Sequence, residues 1–244
     1  IGIPRPAATS YLHKDCAALF STMNRISFAL EPNFGAMAWR SSSAVNARAL
    51  DISKRRICTT LVAPDDTWDG PVIVKTDLNH RGDSERRLGY ALPDWGWILP
   101  DEGYRLFERK SDLPDRVWRD TGLVVQKLHV ERVGDYYALR QWLFLGDRDI
   151  VSSYYGTEPI VKQANVVARP PLSYEIPDAL RARRAELGFD YGKFDYVIED
   201  GVPQLIDANA TPNNGTRIDN ERCGIICGHL APGIDDLAER AMAA

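Results

Sequence analysis

Between positions 192 and 209 the chain reads Gly-Lys-Phe-Asp-Tyr-Val-Ile-Glu-Asp-Gly-Val-Pro-Gln-Leu-Ile-Asp-Ala-Asn, and four of these side chains could do chemistry together. Glu199-Asp200-Gly201 is a turn signal between two alternating runs, which predicts a hairpin. A two-residue Asp-Gly loop would pair even with odd positions. A three-residue loop, with Gly201 left-handed, pairs even with even and sorts the side chains cleanly. One face then carries Phe194, Tyr196, Ile198, Val202, Gln204, Ile206 and Ala208. The other carries Lys193, Asp195, Val197, Leu205, Asp207 and Asn209. A one-residue slip would scatter both sets, so the three-residue loop is expected. Two carboxylates this close push one another toward protonation unless a cation sits with them. Their hard oxygens suit Mg²⁺, which takes one or two carboxylates together with the phosphates of a nucleotide. From the hairpin alone, a solvated face with a Lys193–Asp195 pair is the competing reading.

Other elements must position this hairpin. A short basic helix is expected over 52–61, capped by Asp51 or Ser53. Residues 71–75, Pro-Val-Ile-Val-Lys, read as a buried strand ending in a lysine. The polar stretch 77–87, with Gly82, reads as a loop. Residues 90–120, rich in Trp, Pro and Asp, take no assignment. Strands are expected over 123–128, 136–145, 194–198 and 203–208. A helix is expected over 177–187, stopped by Gly188, and another over 234–244. Strands of this kind with interspersed helices predict an α+β fold with largely antiparallel sheets.

The bulk composition sets bounds. The chain has 244 residues, 44% hydrophobic and 26% charged, with a net charge of −4. That balance argues against broad nucleic-acid or anionic-membrane binding, both of which need a basic face. No apolar run approaches the ~20 residues of a membrane-spanning helix. The opening Ile-Gly-Ile-Pro-Arg-Pro has no apolar signal core, so a cytoplasmic location is expected. Cys16, Cys58, Cys223 and Cys227 are too sparse for a disulfide framework, and Cys223, Cys227 and His229 match no zinc spacing. Buried thiols are expected.

Gly192-Lys-Phe-Asp195, followed across a glycine turn by Ile206-Asp-Ala-Asn-Ala-Thr-Pro212, resembles the C-terminal signature of ATP-grasp enzymes. The resemblance covers roughly residues 45–220 and is strongest over 188–213. It implies a two-lobed fold clasping ATP. The boundaries expected are an N-terminal segment over 1–60, a small lobe over 61–127 and a large lobe with the metal site over 128–244. It also implies roles. Asp195, Asp207 and Asn209 would hold one or two Mg²⁺ ions against ATP. Lys75 and Lys54 would contact phosphates, and Arg81 and Gly82 would lie in the lid over them. Gln126, Lys127 and Leu128 would form the linker whose backbone meets adenine, and Glu131 would suit the ribose. Arg140 and Lys193 would be the catalytic cations. The sequence departs from the family where Gln126 stands for a frequent Glu and Lys193 for a frequent Arg. A lysine keeps the charge but loses the bidentate fork. The first fifty residues are too few for the separate N-terminal domain that the family's ligases commonly carry. The activity implied is an ADP-forming ligase that joins a small-molecule or peptide carboxylate to an amine through an acyl phosphate. A small-molecule kinase and a non-catalytic nucleotide-binding protein are the alternatives. A homodimer is left open.

Overall fold

The computed structural model describes residues 45–100, 103–212 and 220–243. Most of the expected N-terminal segment, with Cys16, therefore lies outside the described residues. The architecture is α+β, with two antiparallel sheets. No helix among the described residues is long and apolar enough to cross a membrane.

The first sheet has three strands: β1 (Val72–Thr76), β2 (Arg105–Phe107) and β3 (Leu123–Lys127), in the order β2-β1-β3. Strand β1 is buried along its whole length, as its near-continuous apolar run requires. Val72, Val74, Leu123 and Val125 form a core with Trp95, Ile98, Leu99 and Val117. Trp95 thus gives the Trp- and Pro-rich stretch 90–120 a packing role that the sequence left unassigned. Three short helices accompany this sheet: α1 (Lys54–Ile57), whose Ile57 packs into the core of the second sheet, α2 (Asp83–Arg87) and α3 (Asp115–Arg119). The helix expected over 52–61 is only one turn. From Cys58 the chain runs extended beside β3, where Leu61 bridges Gln126 and Val62 N–H donates to the Val125 carbonyl.

The second sheet comprises β4 (Glu131–Val133), β5 (Tyr136–Leu145), β6 (Arg148–Gly156), β7 (Val166–Ala168), β8 (Tyr191–Glu199) and β9 (Val202–Asn209), in the order β7-β6-β5-β8-β9 with β4 on β5. One face packs Trp142, Phe144, Phe194, Tyr196 and Leu205 against α4 (Asp178–Leu187) and Ile57. The opposite face packs Leu143, Ile150 and Tyr191 against α5 (Asn220–Leu230), which α6 (Gly233–Ala243) follows. Cys223 and Cys227, expected as thiols, are both disulfide-bonded, whereas Cys58 is free.

The β8–β9 turn corrects the expected loop. Glu199 faces Val202, so the loop has two residues, and Asp200 and Gly201 both lie in the left-handed region at φ 51° and 79°. Their signs match the type I′ turn that fits hairpin twist. Further along, Tyr196 faces Leu205 while Asp195 faces Asp207, leaving Ile206 as the extra residue of a bulge. The bulge restores the even-with-even register at the site end. It also turns Leu205, not Ile206, into the core. A Cβ at Gly201 would meet nothing within 4 Å, so Gly201→Ala isolates the backbone cost. The expected loss is about 1 kcal/mol of unfolding free energy, read by denaturant titration.

Candidate functional site

The hairpin sets its four polar residues in two cross-strand pairs, Lys193 with Asn209 and Asp195 with Asp207. Lys193 Nζ lies 3.1 Å from both carboxylate oxygens of Asp195. Burial pushes the Asp195 carboxyl upward, Lys193 opposes that, and Asp207 across the ladder adds to it. Burial works against the Lys193 ammonium, but Asp195 outweighs it and holds that pKa up. Asp195 Oδ1 is buried and accepts no hydrogen bond among the described residues. Asp207 is more open, with its side chain 35% exposed.

The small lobe delivers two lysines to the same place. Helix α1 places Lys54, 4% exposed, with Nζ 3.2 Å from Asp207 Oδ1 and 2.7 Å from Asn79 Oδ1. Asn79 in turn donates to the Ala208 carbonyl at 3.1 Å. Strand β1 carries Lys75, 7% exposed, whose Nζ reaches the Ile206 carbonyl at 3.4 Å. The bulge supplies that carbonyl, which also faces Cys58 Sγ at 3.6 Å. Bulges re-aim groups beside sites in this way. Burial pulls the Lys75 ammonium below its ordinary pKa, with Asp207 opposing. Burial also raises the Cys58 thiol to about 11, so it stays protonated.

A cavity of about 330 Å³ opens over these groups. It brings together the predicted residues Lys54, Lys75, Arg81, Asp207 and Asn209. Asn209 Oδ1 also accepts the Thr211 amide at 2.8 Å, closing a local turn. Above the cavity, residues 79–82 make a tight kinked turn in which His80 and Arg81 both lie in the left-handed region, at φ 46° and 57°. Non-glycine residues held there are strained, and such strain concentrates at functional sites. Arg81 donates to the carbonyls of Pro100 and Gly103, tying this turn to the next segment. Gly82 serves packing: a Cβ there would lie 2.3 Å from Leu92 Cδ1.

Other predicted residues do not line the cavity. Lys193 and Asp195 sit along the hairpin from it. Gln126 is 1% exposed, and neither end of its amide has a hydrogen-bond partner among the described residues. Lys127 lays its ammonium 4.7 Å from the Trp68 ring centre, and Leu128 N–H donates to the Pro71 carbonyl. Glu131 and Arg140, given separate roles by the sequence, are paired. Arg140 Nε lies 3.0 and 2.9 Å from the two Glu131 oxygens, and Glu131 also accepts the Ile198 amide at 2.8 Å. The pair fastens β4 and β5 to β8. Sequence reasoning missed Tyr104 and Lys162, both of which line the cavity. They are 58 positions apart, and neither sits in a motif.

Two carboxylates facing each other, one buried beside Lys193 and one partly open, are hard donors of the kind Mg²⁺ takes when phosphates complete its shell. Among the described residues no three His, Cys, Asp or Glu side chains converge into a complete protein cage. The residues therefore fit a cation shared with a ligand.

No known family or curated protein matches the sequence. Solved structures do. The D-alanine–D-alanine ligase of Bacillus anthracis complexed with ATP is 16% identical, with 72% of this chain covering 61% of that one at a TM-score of 0.35. The ATP-grasp ligase PsnB complexed with minimal precursor is 15% identical, with coverage of 70% and 48% and a TM-score of 0.38. The macrocyclase MdnC of Microcystis aeruginosa MRC, bound to precursor peptide MdnA, is 11% identical, with coverage of 65% and 47% and a TM-score of 0.35. The chain thus spans about half to three fifths of the length of the structures it matches.

Proposed function

We propose that this chain is an ATP- and Mg²⁺-dependent ligase of the ATP-grasp type, which activates a carboxylate as its acyl phosphate for attack by an amine. The observation that carries the reading is Lys75. It is a buried ammonium whose one described hydrogen bond is a long contact to a carbonyl, beside an open carboxylate and over a cavity. Burying a cation without a carboxylate is costly unless an anion completes it. A triphosphate supplies that anion, with Lys54 beside it.

Asp195 and Asp207 would hold the Mg²⁺, with the amide oxygen of Asn209, and the ion would neutralise phosphate charge. The chain's own residues do the rest. Lys75 and Lys54 orient the phosphates, and the strained turn bearing Arg81 covers them against water. The backbone of Gln126, Lys127 and Leu128 would meet adenine, with the Gln126 side chain turned into the interior. Glu131 fixes Arg140. An oxygen of the substrate carboxylate forms a bond to the γ-phosphorus as the bond to the β-phosphate oxygen breaks, releasing ADP. The amine then bonds to the acyl carbon, phosphate leaves with the C–O electron pair, and the amine proton passes to solvent. Lys193, with Arg140, stabilises the oxyanion on the acyl carbon, an effect on the order of 3 kcal/mol per donor.

The substrates are small-molecule or peptide carboxylates and amines. Trapping tests the reading. Incubation with Mg-ATP, hydroxylamine and a panel of amino acids and short peptides should yield ADP and hydroxamates in step. ADP formed with a phosphate ester and no hydroxamate would make the protein a kinase. Nucleotide binding with no product from any acid would make it non-catalytic.

A further inference from the structure

The Tyr104 ring lines the cavity and meets lysines from both sheets. Tyr104 stands just before β2 of the small sheet. Lys75 Nζ lies 5.4 Å from its ring centre and Lys162 Nζ lies 5.2 Å from it. Lys162 belongs to the connection between β6 and β7 of the large sheet. The ring is therefore shared by two ammonium groups from opposite lobes. Neither lysine has a carboxylate within ion-pair distance among the described residues.

The surroundings hold this arrangement in place. Gly103, at φ 88°, precedes the ring, and a Cβ there would lie 3.1 Å from Lys162 Nζ. Arg81 fixes the Gly103 carbonyl from the strained turn. On the other side Asn165 gathers the Lys162 loop, its Oδ1 accepting the Lys162 amide at 3.0 Å and its Nδ2 donating to the Ile160 carbonyl at 2.9 Å. The phenol is pushed up to about 12 by burial and by Asp207 and Asp195, so the ring stays neutral. A neutral ring attracts a cation to its face.

We propose that Tyr104 is a positioning residue, whose ring holds Lys75 of one lobe and Lys162 of the other on a single anionic group in the cavity. This rests on the nucleotide reading above and deepens it: the group is the terminal phosphate of a nucleoside triphosphate. Lys162 would then distinguish triphosphate from diphosphate, because only the triphosphate carries the group that both lysines share.

Calorimetric titration of the whole protein with a non-hydrolysable ATP analogue, and separately with ADP, both with Mg²⁺, tests this. Exposed cation–π contacts are worth about 0.5–1 kcal/mol each, so Tyr104→Leu should weaken analogue binding about fivefold. ADP binding should change less than about twofold. Tyr104→Phe keeps the ring and should restore the wild-type preference. Lys162→Met should weaken the analogue about as much as Tyr104→Leu, and combining the two should add little. Equal losses for analogue and ADP would overturn the proposal. So would a Phe variant as weak as Leu, or a Lys162→Met variant that binds the analogue normally, which would give Lys162 to a substrate carboxylate instead. Wild-type protein that binds neither nucleotide would instead sink the nucleotide reading beneath it.

Discussion

Lys75→Met should make the protein more stable and all but inactive. The wild-type ammonium is buried and spends its one described hydrogen bond on the Ile206 carbonyl at 3.4 Å. Removing it leaves no carboxylate stranded, because Lys54 still pairs with Asp207 and Lys193 with Asp195. Apolar replacement of buried charge is often stabilising by about 1–4 kcal/mol. A gain of about 2 kcal/mol would raise the melting temperature by roughly 4–8 °C in a chain of this size. Turnover should fall by at least about 10²-fold, because phosphate charge loses its buried partner.

The pH dependence gives this prediction its sign. Burial holds the Lys75 pKa below its ordinary 10.5, so the folded state binds that proton less tightly than the unfolded chain. The penalty is present in full below the folded pKa and is relieved as pH rises from there toward 10.5. The stability advantage of Lys75→Met should therefore shrink as pH rises from 7 toward 10. Scanning calorimetry of both proteins across that range checks it. An advantage that grows with pH would mean that the lysine is not held as a disfavoured cation.

Asp207→Asn should do the opposite, sparing stability and removing activity. The side chain is partly open, and its Oδ1 meets Lys54 Nζ and the Ala208 amide, both of which an asparagine oxygen can also meet. Unfolding free energy should change by less than about 1 kcal/mol. Turnover should fall on the order of 10³-fold, since the carboxylate facing Asp195 is lost from the cation's donors. Parallel activity and denaturation measurements separate this from misfolding. Wild-type turnover in a folded Asp207→Asn protein would remove Asp207 from the site.

How much of this was legible in the sequence varies with the kind of signal. Strand β5 stands at the bounds its residues predict, because a stretch apolar but for Arg140 and Gln141 and closed by Gly146-Asp147 admits little else. The hairpin was half legible. Asp195 does face Asp207, but through a two-residue turn and a bulge instead of a three-residue loop. Leu205 and Ile206 are both apolar, so the sequence pattern could not show which one the bulge would turn inward. Strand β6 escaped because Ser152 and Ser153 interrupt its apolar run, although both are buried. Helix α5 escaped because Gly224 and Gly228 weaken its propensity, and packing against β6 overrides that. The pairing of Glu131 with Arg140 depends on β4 folding back on β5, and the meeting of Tyr104 with Lys162 on two lobes coming together. No local pattern encodes either.

The most direct test of the central claim is the binding of a divalent cation in the presence of nucleotide. Mn²⁺ can replace Mg²⁺ and be followed by electron paramagnetic resonance, with a non-hydrolysable ATP analogue present. Wild-type protein should immobilise Mn²⁺ together with the analogue, and Asp207→Asn should lose most of that signal while remaining folded. Mn²⁺ and analogue binding equally well to both proteins would contradict the account, because the facing carboxylates of the hairpin would then hold no cation.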